Sequence, residues 1–388
     1  IVGMARTPIG GFQGVLKDVS GPELGSAAIR AALERSGVPA EDIDEVLMGC
    51  VLPAGMGQAP ARQASIGAGI PDATGCTTVN KMCGSGMKTT MLAHDLLVAG
   101  TNEVMVAGGL ESMSNAPYIL PKARSGQRLG HGQMLDHMFL DGLEDAFDKG
   151  TLMGVFAERT AKKYGFSREA QDKFAIRSLT RSKKAIQDGS FDAEVTPVTY
   201  KNRQGEVTVE QDEQPLKANL DKIPKLRPAF DKDGTVTAAN SSSISDGAAA
   251  LVMMCESTAK KRGLKPIARF LGHSSFAQEP AWFTTAPVSA IKKLLETLGW
   301  KADDVDLYEI NEAFAVVTMA AMKDLHLPSE KVNVHGGACA LGHPVGASGT
   351  RIMVTLISAL QKYGKTRGVA SLCIGGGEAT AMAVEVMS

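Results

Sequence analysis

Residues 28–46 read AIRAALERSGVPAEDIDEV, and residues 290–308 read AIKKLLETLGWKADDVDLY. Eight of the nineteen positions are identical, whereas average residue usage would give roughly one. Each copy has the pattern of a helix, a glycine stop, an acidic turn and a strand. The first and last thirds of the chain are therefore predicted to be two copies of one fold unit, with the middle inserted between them.

Further along, the two copies share a second short match. Ser85-Gly86 in the first third corresponds to Ser348-Gly349 in the last third, and each pair stands at the start of a predicted helix. Helical and strand patterns alternate in residues 1–112, with helices over 24–36 and 59–70 and strands over 45–51 and 104–107. This alternation predicts β/α units around a largely parallel sheet. We predict an α/β fold with a duplicated α/β/α layered core, mixed sheets and an inserted loop domain.

The predicted division of the chain has three parts. Residues 1–112 and 246–263 form the first core domain, because the apolar run at 248–254 supplies a strand that the first copy otherwise lacks. Residues 113–245 form the inserted loop domain, and residues 264–388 form the second core domain. The loop domain contains predicted helices over 154–164 and 168–188 and a hairpin formed by 194–200 and 205–210.

Composition narrows the class of protein. The 388 residues carry a formal net charge of −1, with 44% hydrophobic and 21% charged residues. This balance is ordinary for a soluble globular protein and gives no electrostatic case for binding to nucleic acid or to an anionic membrane. No apolar run in the sequence approaches the roughly 20 residues that span a bilayer. Six cysteines without C-x-x-C spacing argue against zinc and favour free thiols. We expect a cytoplasmic protein, although Ile1 is not an initiator methionine and a missing upstream piece leaves an organelle open.

Cys83 is the first candidate for chemistry. It lies in NKMCGSGMK, residues 80–88, between a β-type run and an apolar-periodic run. A cysteine on such a strand-to-helix turn faces the positive end of the helix dipole, which favours its nucleophilic thiolate. A free cysteine is more often a small buried hydrophobe, so this stretch alone leaves both interpretations open.

Three stretches of the last third supply further groups. They are NEAFA with Asn311, GGACALGHPVGASG with His343, and CIGGG with Cys373. Each polar group is predicted at a strand end, where open α/β sheets form their ligand crevice. Taken singly, Asn311 could be a helix N-cap, His343 an ordinary loop histidine and Cys373 a buried thiol. Together with Cys83 they supply a nucleophile, a base, a second titratable thiol and an amide, beside glycines whose N–H groups can hold an oxyanion.

In order and spacing, these four motifs match the signatures of one family from end to end of the chain. The sequence resembles the thiolase family, and within it the acetyl-CoA C-acetyltransferase (acetoacetyl-CoA thiolase) branch. The resemblance implies a thiolase-like fold, a loop domain over the active site, and a homodimer or homotetramer. It also implies reversible Claisen condensation of two acetyl-CoA molecules to acetoacetyl-CoA and CoA. Acyl-CoA and coenzyme A would be substrates, with no metal and no permanently bound cofactor.

By matching position, the resemblance implies a role for each residue. Cys83 would accept the acyl group, and His343 would activate it and help to form one oxyanion hole. Asn311 would hold a water in that hole. Cys373 would exchange a proton with the acetyl methyl group, and the N–H groups of Cys83 and Gly375 would form a second oxyanion hole.

Coenzyme A contacts are also implied by matching position. These residues are Met153, Phe230, Ala238, Ser242, Ala313 and Phe314. Ser242 has an independent argument, because it lies in a polar turn after a basic stretch and could bond the pantetheine. On its own, it would be an ordinary turn serine.

Several positions depart from the family pattern. Leu152 stands where the short-chain biosynthetic members usually have histidine, and Phe283 where methionine is often found. These two leave the acyl preference open. His335 replaces a usual asparagine, and Glu378-Ala379 replaces a Met-Gly or Gly-Ala pair, which would alter the surroundings of the site and not its chemistry.

Other functions share part of this pattern. A degradative 3-ketoacyl-CoA thiolase that accepts a broader range of acyl chain lengths would use the same residues. The size of the pocket near Leu152, Phe283 and residues 134–153 would decide between that enzyme and an acetoacetyl-CoA thiolase. A ketoacyl synthase pairs its cysteine with two histidines, or with histidine and asparagine, and lacks the second thiol. A CoA-ester-binding protein without turnover is disfavoured because all four reactive residues are intact.

Overall fold

The computed structural model describes residues 1–387. Its strands are β1 (Gly3–Arg6), β2 (Gly10–Gly11), β3 (Glu45–Gly49), β4 (Gly75–Val79), β5 (Val104–Ser112), β6 (Tyr118–Ile119), β7 (Leu135–Asp136), β8 (Val198–Asn202), β9 (Gly205–Val209), β10 (Ser245–Met254), β11 (Ala268–Ala277), β12 (Leu307–Ile310), β13 (Arg367–Ile374) and β14 (Glu378–Val386). Its helices are α1 (Gly21–Ser36), α2 (Pro60–Gly67), α3 (Ser85–Val98), α4 (Met153–Tyr164), α5 (Arg168–Gln187), α6 (Glu213–Lys217), α7 (Glu256–Lys261), α8 (Ala286–Leu298), α9 (Ala315–Asp324), α10 (Ala338–Leu341) and α11 (Ser348–Lys362). None of these helices is long and apolar enough to cross a membrane.

Two mixed sheets carry the duplication. The first has the order β1-β10-β5-β3-β4, and the second has the order β11-β14-β13-β12. In the first sheet β10 is antiparallel to β1 and β5, while β3 is parallel to β5 and β4. In the second, β14 is antiparallel to β11 and β13, β12 is parallel to β13, and a parallel bridge from Tyr308 to Val332 takes the place of β4. The predicted α/β fold with two copies and mixed sheets is confirmed.

The repeated stretch has the same local structure in both copies. Gly37 and Gly299 end α1 and α8 in the left-handed conformation, with φ of 68° and 66°, which glycine adopts without a steric penalty. After them, Asp44 accepts hydrogen bonds from the N–H groups at the start of β5, and Asp306 does the same at the start of β13. The shared glycine and aspartate therefore fix where each helix ends and each strand begins.

Five layers result from the two copies. One apolar cluster joins α1 and α2 to the outer face of the first sheet, and another joins α8 and α9 to the outer face of the second. The central cluster holds α3 and α11 between the sheets. These two helices begin at Ser85 and Ser348, so both copies contribute a helix N-terminus to the middle of the molecule.

Glycines allow α3 and α11 to approach closely. A Cβ on Gly349 would lie 2.2 Å from the backbone nitrogen of Met87, and a Cβ on Gly86 would lie 2.8 Å from Thr350 Oγ1. Thr350 Oγ1 also donates to the Gly86 carbonyl at 2.8 Å. The contact between the copies is thus backbone against backbone, with no room for a methyl group.

Residues 113–244 connect β5 to β10, two neighbouring strands of the first sheet. Fully buried Arg6 of β1 is joined to Glu194 and, through two bonds of 2.7 and 2.9 Å, to Asp212. Burial alone would penalise the charge, but the two carboxylates raise the pKa of this guanidinium. Strand β10 then returns to the centre of the first sheet, beside β5. The three-part division of the chain stays a prediction.

Most predicted elements are found with shifted ends. The strand predicted over 45–51 ends at Gly49, the helix over 59–70 covers Pro60–Gly67, and the strand over 104–107 extends to Ser112. In the middle, the hairpin pairs Val198–Asn202 with Gly205–Val209, later than the start predicted at 194. Local patterns located these elements, while pairing with neighbours set their lengths.

We predict that Gly349→Ala destabilises the fold by about 1–3 kcal/mol, because the added methyl overpacks the contact between α3 and α11. Gly75→Ala is the matched control, since its nearest neighbour would be Glu45 Cγ at 4.0 Å. Urea unfolding followed by circular dichroism measures both. Equal midpoints for the two variants would contradict the proposed close contact.

Candidate active site

A cavity of about 390 Å³ lies where the two cores and the inserted segment meet. Cys83, His343 and Gly375 line it, as do Leu152 and Phe283. All six positions matched to coenzyme A line it too: Met153, Phe230, Ala238, Ser242, Ala313 and Phe314. Asn311 and Cys373 do not line it but lie buried behind it. The structure therefore brings nine of the eleven predicted residues to one cavity and the other two to its rear.

Cys83 sits on a tight turn between β4 and α3. Met82, directly before it, has a φ of 47°, an uncommon conformation for a residue with a side chain. Three hydrogen bonds hold this turn: Asn80 Oδ1 accepts from Met82 N at 2.9 Å, and Ser85 Oγ accepts from Lys81 N at 2.9 Å and donates to the Met82 carbonyl at 2.6 Å. The predicted strand-to-helix turn is present, and its geometry aims Cys83 into the cavity.

The expectation of a Cys83 thiolate favoured by the helix dipole is wrong for the resting protein. Burial raises the pKa of this thiol to about 11, and the negative charge of Glu111 acts in the same direction. Hydrogen bonds from the N–H groups of Gly375 and of Cys83 itself lower the pKa but do not offset burial. At neutral pH the group is therefore a thiol, and a thiolate needs a base to accept its proton.

Gly375 belongs to the turn between β13 and β14. The turn lies against Cys83 because Ile374 packs below Gly84, where an added Cβ would lie 2.4 Å from Ile374 Cδ1. This contact puts the Gly375 N–H within hydrogen-bonding reach of the sulfur. Two backbone donors, from Gly375 and Cys83, thus converge at one point of the cavity.

His343 lies in the loop between α10 and α11, so the prediction that it stands at a strand end is wrong. Its Nδ1 bonds Ser348 Oγ, which in turn donates to the Pro344 carbonyl at 2.9 Å. Because a hydroxyl has one hydrogen, Ser348 must accept from Nδ1–H. The other nitrogen, Nε2, is then unprotonated and free to act as a base.

Asn311 follows β12 directly and is oriented from behind. Its Oδ1 accepts from Arg351 at 3.5 Å, so its amide NH₂ faces His343 Nε2 at 3.5 Å. Arg351 is itself buried and donates to Glu309 at 3.2 Å. Burial, followed by the positive charge of Arg351, lowers the pKa of His343 to about 3. The imidazole is therefore neutral across the physiological range.

Cys373 ends the buried strand β13. Burial raises the pKa of its thiol well above the ordinary value, with a further increase from the neighbouring Cys83. A high pKa makes the thiol a weak acid and its thiolate a strong base.

Residues 240–242 of the inserted segment pair with the loop after β12. Ser242 N donates to the Ala313 carbonyl at 2.9 Å, Ala315 N donates to the Asn240 carbonyl at 2.8 Å, and a β-bridge joins Ser241 to Phe314. These bonds use backbone groups, so the Ser242 side chain remains directed to the cavity that it lines. The pairing forms one wall of that cavity.

Sequence reasoning missed the residues that support the site. Ser348, Arg351 and Glu309 orient His343 and Asn311, as described above. Glu111 is fully buried and accepts N–H bonds from Val51, Leu52 and Gly346 at 2.8–3.1 Å. Burial raises the pKa of this carboxyl to about 7. A glutamate in the otherwise apolar run at 104–113 was the available signal.

Lys81 and Glu378 form an ion pair. The pair joins the Cys83 turn to the first residue of β14, just after the glycines at 375–377. Glu378 is one of the positions that depart from the family pattern. The pair therefore connects the two loops whose N–H groups meet at the sulfur.

Comparison with known proteins agrees with this architecture. The chain matches the family models "Thiolase, N-terminal domain" over residues 1–257 and "Thiolase, C-terminal domain" over residues 264–386. The chain belongs to the thiolase family.

Particular relatives match along their whole length. This chain is 50% identical to an acetyl-CoA acetyltransferase of Escherichia coli (strain K12), over 99% of this chain and 98% of that protein. The crystal structure of the Bacillus anthracis acetyl-CoA acetyltransferase superposes with a TM-score of 0.97 at 43% identity, over 100% of this chain and 98% of that one. The crystal structure of the Acat5 thiolase from Ascaris suum in complex with coenzyme A superposes with a TM-score of 0.94 at 42% sequence identity. The match covers 100% of this chain and 99% of that one.

We predict that His343 does not titrate between about pH 5 and 8, because its pKa is lowered to about 3 and it stays neutral above that value. Carbon-13 NMR of histidine-labelled protein measures this, with the signal assigned by its loss in His343→Gln. A midpoint near the ordinary pKa of about 6.5 would contradict the buried, Arg351-facing environment.

We predict that Ser348→Ala lowers kcat by roughly 10- to 100-fold, less than the about 10²–10⁴ that loss of a general base costs. The variant keeps His343 but removes the acceptor that fixes its tautomer. Ser358→Ala is the matched control, since that buried serine on the same helix has no hydrogen-bond partner among residues 1–387. An unchanged kcat in Ser348→Ala would show that the hydroxyl does not orient the base.

Proposed function

We propose that this chain is an acetyl-CoA C-acetyltransferase that condenses two acetyl-CoA molecules to acetoacetyl-CoA and CoA, and catalyses the reverse thiolysis. The observation that carries the proposal is the meeting of the Cys83 thiol, the His343 imidazole and the Gly375 N–H in one cavity. Full-length identity of 46–50% to acetyl-CoA acetyltransferases supports it.

Acyl transfer to Cys83 is the first step. Cys83 gives its proton to His343 Nε2 while its sulfur attacks the thioester carbonyl, so that no free thiolate is needed beforehand. The N–H groups of Cys83 and Gly375 hold the negative oxygen of the intermediate. The carbon–sulfur bond to CoA breaks, and Cys373 protonates the departing CoA sulfur. The products are acetyl-Cys83, a His343 cation and a Cys373 thiolate.

Condensation is the second step and uses the Cys373 thiolate and the His343 cation that the first step leaves. The Cys373 thiolate, a strong base because burial raises its pKa, removes a proton from the methyl group of the second acetyl-CoA. The enolate oxygen is held beside His343 and a water on Asn311. Its carbon attacks acetyl-Cys83, forming the new carbon–carbon bond. Cys83 leaves as a thiolate and recovers its proton from His343, which restores the starting state.

Coenzyme A would lie along the apolar walls of the cavity. Phe230 and Phe314 meet edge to face at 6.0 Å between ring centroids and form one wall with Met153. Ser242 and Ala238 also line the cavity, and the Ser242 hydroxyl can bond a pantetheine amide. The relative from Ascaris suum is described in complex with coenzyme A, which supports this use of the cavity.

The acyl end of the cavity favours short chains. Phe283 is buried and meets Phe156 edge to face at 6.3 Å, which holds its ring in place. Leu152 adds a second bulky apolar side chain. These groups replace the methionine and histidine expected at their positions, and they leave an apolar, restricted space for the acyl group.

We also infer three features from the family relationship. They are a homodimer or homotetramer, a cytoplasmic location consistent with six free cysteines, and the division into 1–112 with 246–263, 113–245 and 264–388. Light scattering of the purified protein measures the first. A monomer that retains full activity would overturn it.

We predict different failures for the two thiol variants. Mixed with acetyl-CoA, Cys373→Ala should still become acetylated, while condensation falls by about 10²–10⁴ because the carbon acid loses its base. Cys83→Ala should form no acyl-enzyme. Mass spectrometry of the intact variants measures the added acetyl group, and a coupled assay measures acetoacetyl-CoA.

Cys76→Ala serves as the matched control, because Cys76 lies on β4 and does not line the cavity. It should behave as the wild type in both assays. Acetylation of Cys83→Ala at Cys373, with condensation surviving, would reverse the two roles and contradict the mechanism. Faster thiolysis of long 3-ketoacyl-CoA than of acetoacetyl-CoA would instead identify a broad degradative thiolase.

A further inference from the structure

A second group of chemically active side chains lies away from the cavity. His94 and Asp95 belong to the last turns of α3, and His273 lies on β11. Cys83 precedes the first residue of α3, so a helical rise of about 1.5 Å per residue places these groups about 15 Å from the nucleophile. They take no part in the proposed acyl transfer.

The potential ligand atoms converge on one point. Asp95 Oδ1 lies 3.1 Å from His94 Nδ1 and 2.8 Å from His273 Nε2. All three ligand atoms lie within 4.8 Å of one another. Around a tetrahedral ion with bonds of about 2.0–2.1 Å, ligand atoms stand about 3.3 Å apart. The observed separations need only small side-chain rotations to reach that geometry.

We propose that His94, Asp95 and His273 bind a divalent transition-metal ion, with Zn²⁺ the best fit. Two imidazole nitrogens and one carboxylate oxygen form a common donor set for zinc, and they suit it better than the all-oxygen ligands that Mg²⁺ and Ca²⁺ prefer. A water would complete the fourth position.

The secondary-structure elements that carry the three side chains favour a firmly held metal site. A helix and a strand carry them, and sites on such elements are held more firmly than sites on loops. The imidazole rings of His94 and His273 stand perpendicular at 5.5 Å, and Phe270 meets His94 edge to face at 6.3 Å. The two histidines are 26% and 22% exposed and Asp95 is 53% exposed, so an ion can enter.

Without an ion, the same groups form a hydrogen-bonded chain in which Asp95 accepts from both imidazoles. Both imidazoles thus already face one carboxylate oxygen, at 3.1 and 2.8 Å, which is the convergence that a bound ion needs.

A bound ion would join the two copies of the core. It would tie the C-terminal end of α3, in the first copy, to β11 of the second, while the Cys83 turn lies at the other end of the helix. We therefore expect a stabilising site and not a catalytic one. Sequence spacing gave no metal motif, because His273 lies 178 residues from Asp95 and only the fold brings them together.

Isothermal titration of the full-length protein with ZnCl₂ tests the proposal, with Co²⁺ absorption as a second readout. We expect one ion per chain and a raised melting temperature. His94→Gln and His273→Gln should weaken Zn²⁺ binding by more than the about 10- to 100-fold that second-shell changes cost. His131→Gln is the matched control, since His131 is exposed in the inserted segment. Both test variants keep all six cysteines, so binding through thiols would survive in them.

The result that supports the site is saturable binding in the wild type and in His131→Gln, with loss in both test variants. Glutamine retains hydrogen-bonding groups, and thiolysis activity of each metal-free variant confirms folding. Absence of saturable Zn²⁺ binding in the wild type would overturn the proposal. Binding at the wild-type affinity in His94→Gln and in His273→Gln would overturn it too, because the ion would then lie elsewhere.

Discussion

The close approach of α3 and α11 is the constraint on which the site depends. Gly86 and Gly349 let two helix N-termini meet at the centre of the molecule with backbone against backbone. The turn before α3 carries Cys83, and the loop before α11 carries His343. Since each helix is also packed against both sheets, the ends of β12 and β13 reach the same point with Asn311 and Cys373. The duplication thus produces one site, at the contact between the equivalent helix N-termini of the two copies.

Burial then sets the protonation of that site. It raises the pKa of the Cys83 and Cys373 thiols and lowers the pKa of His343, so all three groups are neutral before substrate binds. A neutral site agrees with a mechanism in which charge appears only as bonds form. The N–H groups at Cys83 and Gly375 stabilise that charge without having to reorganise.

The sequence predicted what is local or repeated. The match of 28–46 with 290–308 revealed the two copies, and glycine and aspartate signals located helix ends. Supporting groups could not be predicted, because their partners are distant in the chain. Arg351 meets Glu309 across 42 residues, and Glu111 accepts from Gly346 across 235. The raised pKa of Cys83 could not be predicted either, since burial, which sequence does not report, outweighs the hydrogen bonds from the N–H groups of Gly375 and Cys83.

In the proposed mechanism the two thiols have separate roles, with Cys83 accepting the acyl group and Cys373 moving the proton. Deuterium exchange into the methyl group of acetyl-CoA in D₂O measures the proton step alone, by NMR or mass spectrometry. We predict exchange in the wild type, where acyl transfer to Cys83 leaves Cys373 as a thiolate, whereas Cys373→Ala should not exceed the uncatalysed rate. Exchange at the wild-type rate in Cys373→Ala would contradict it.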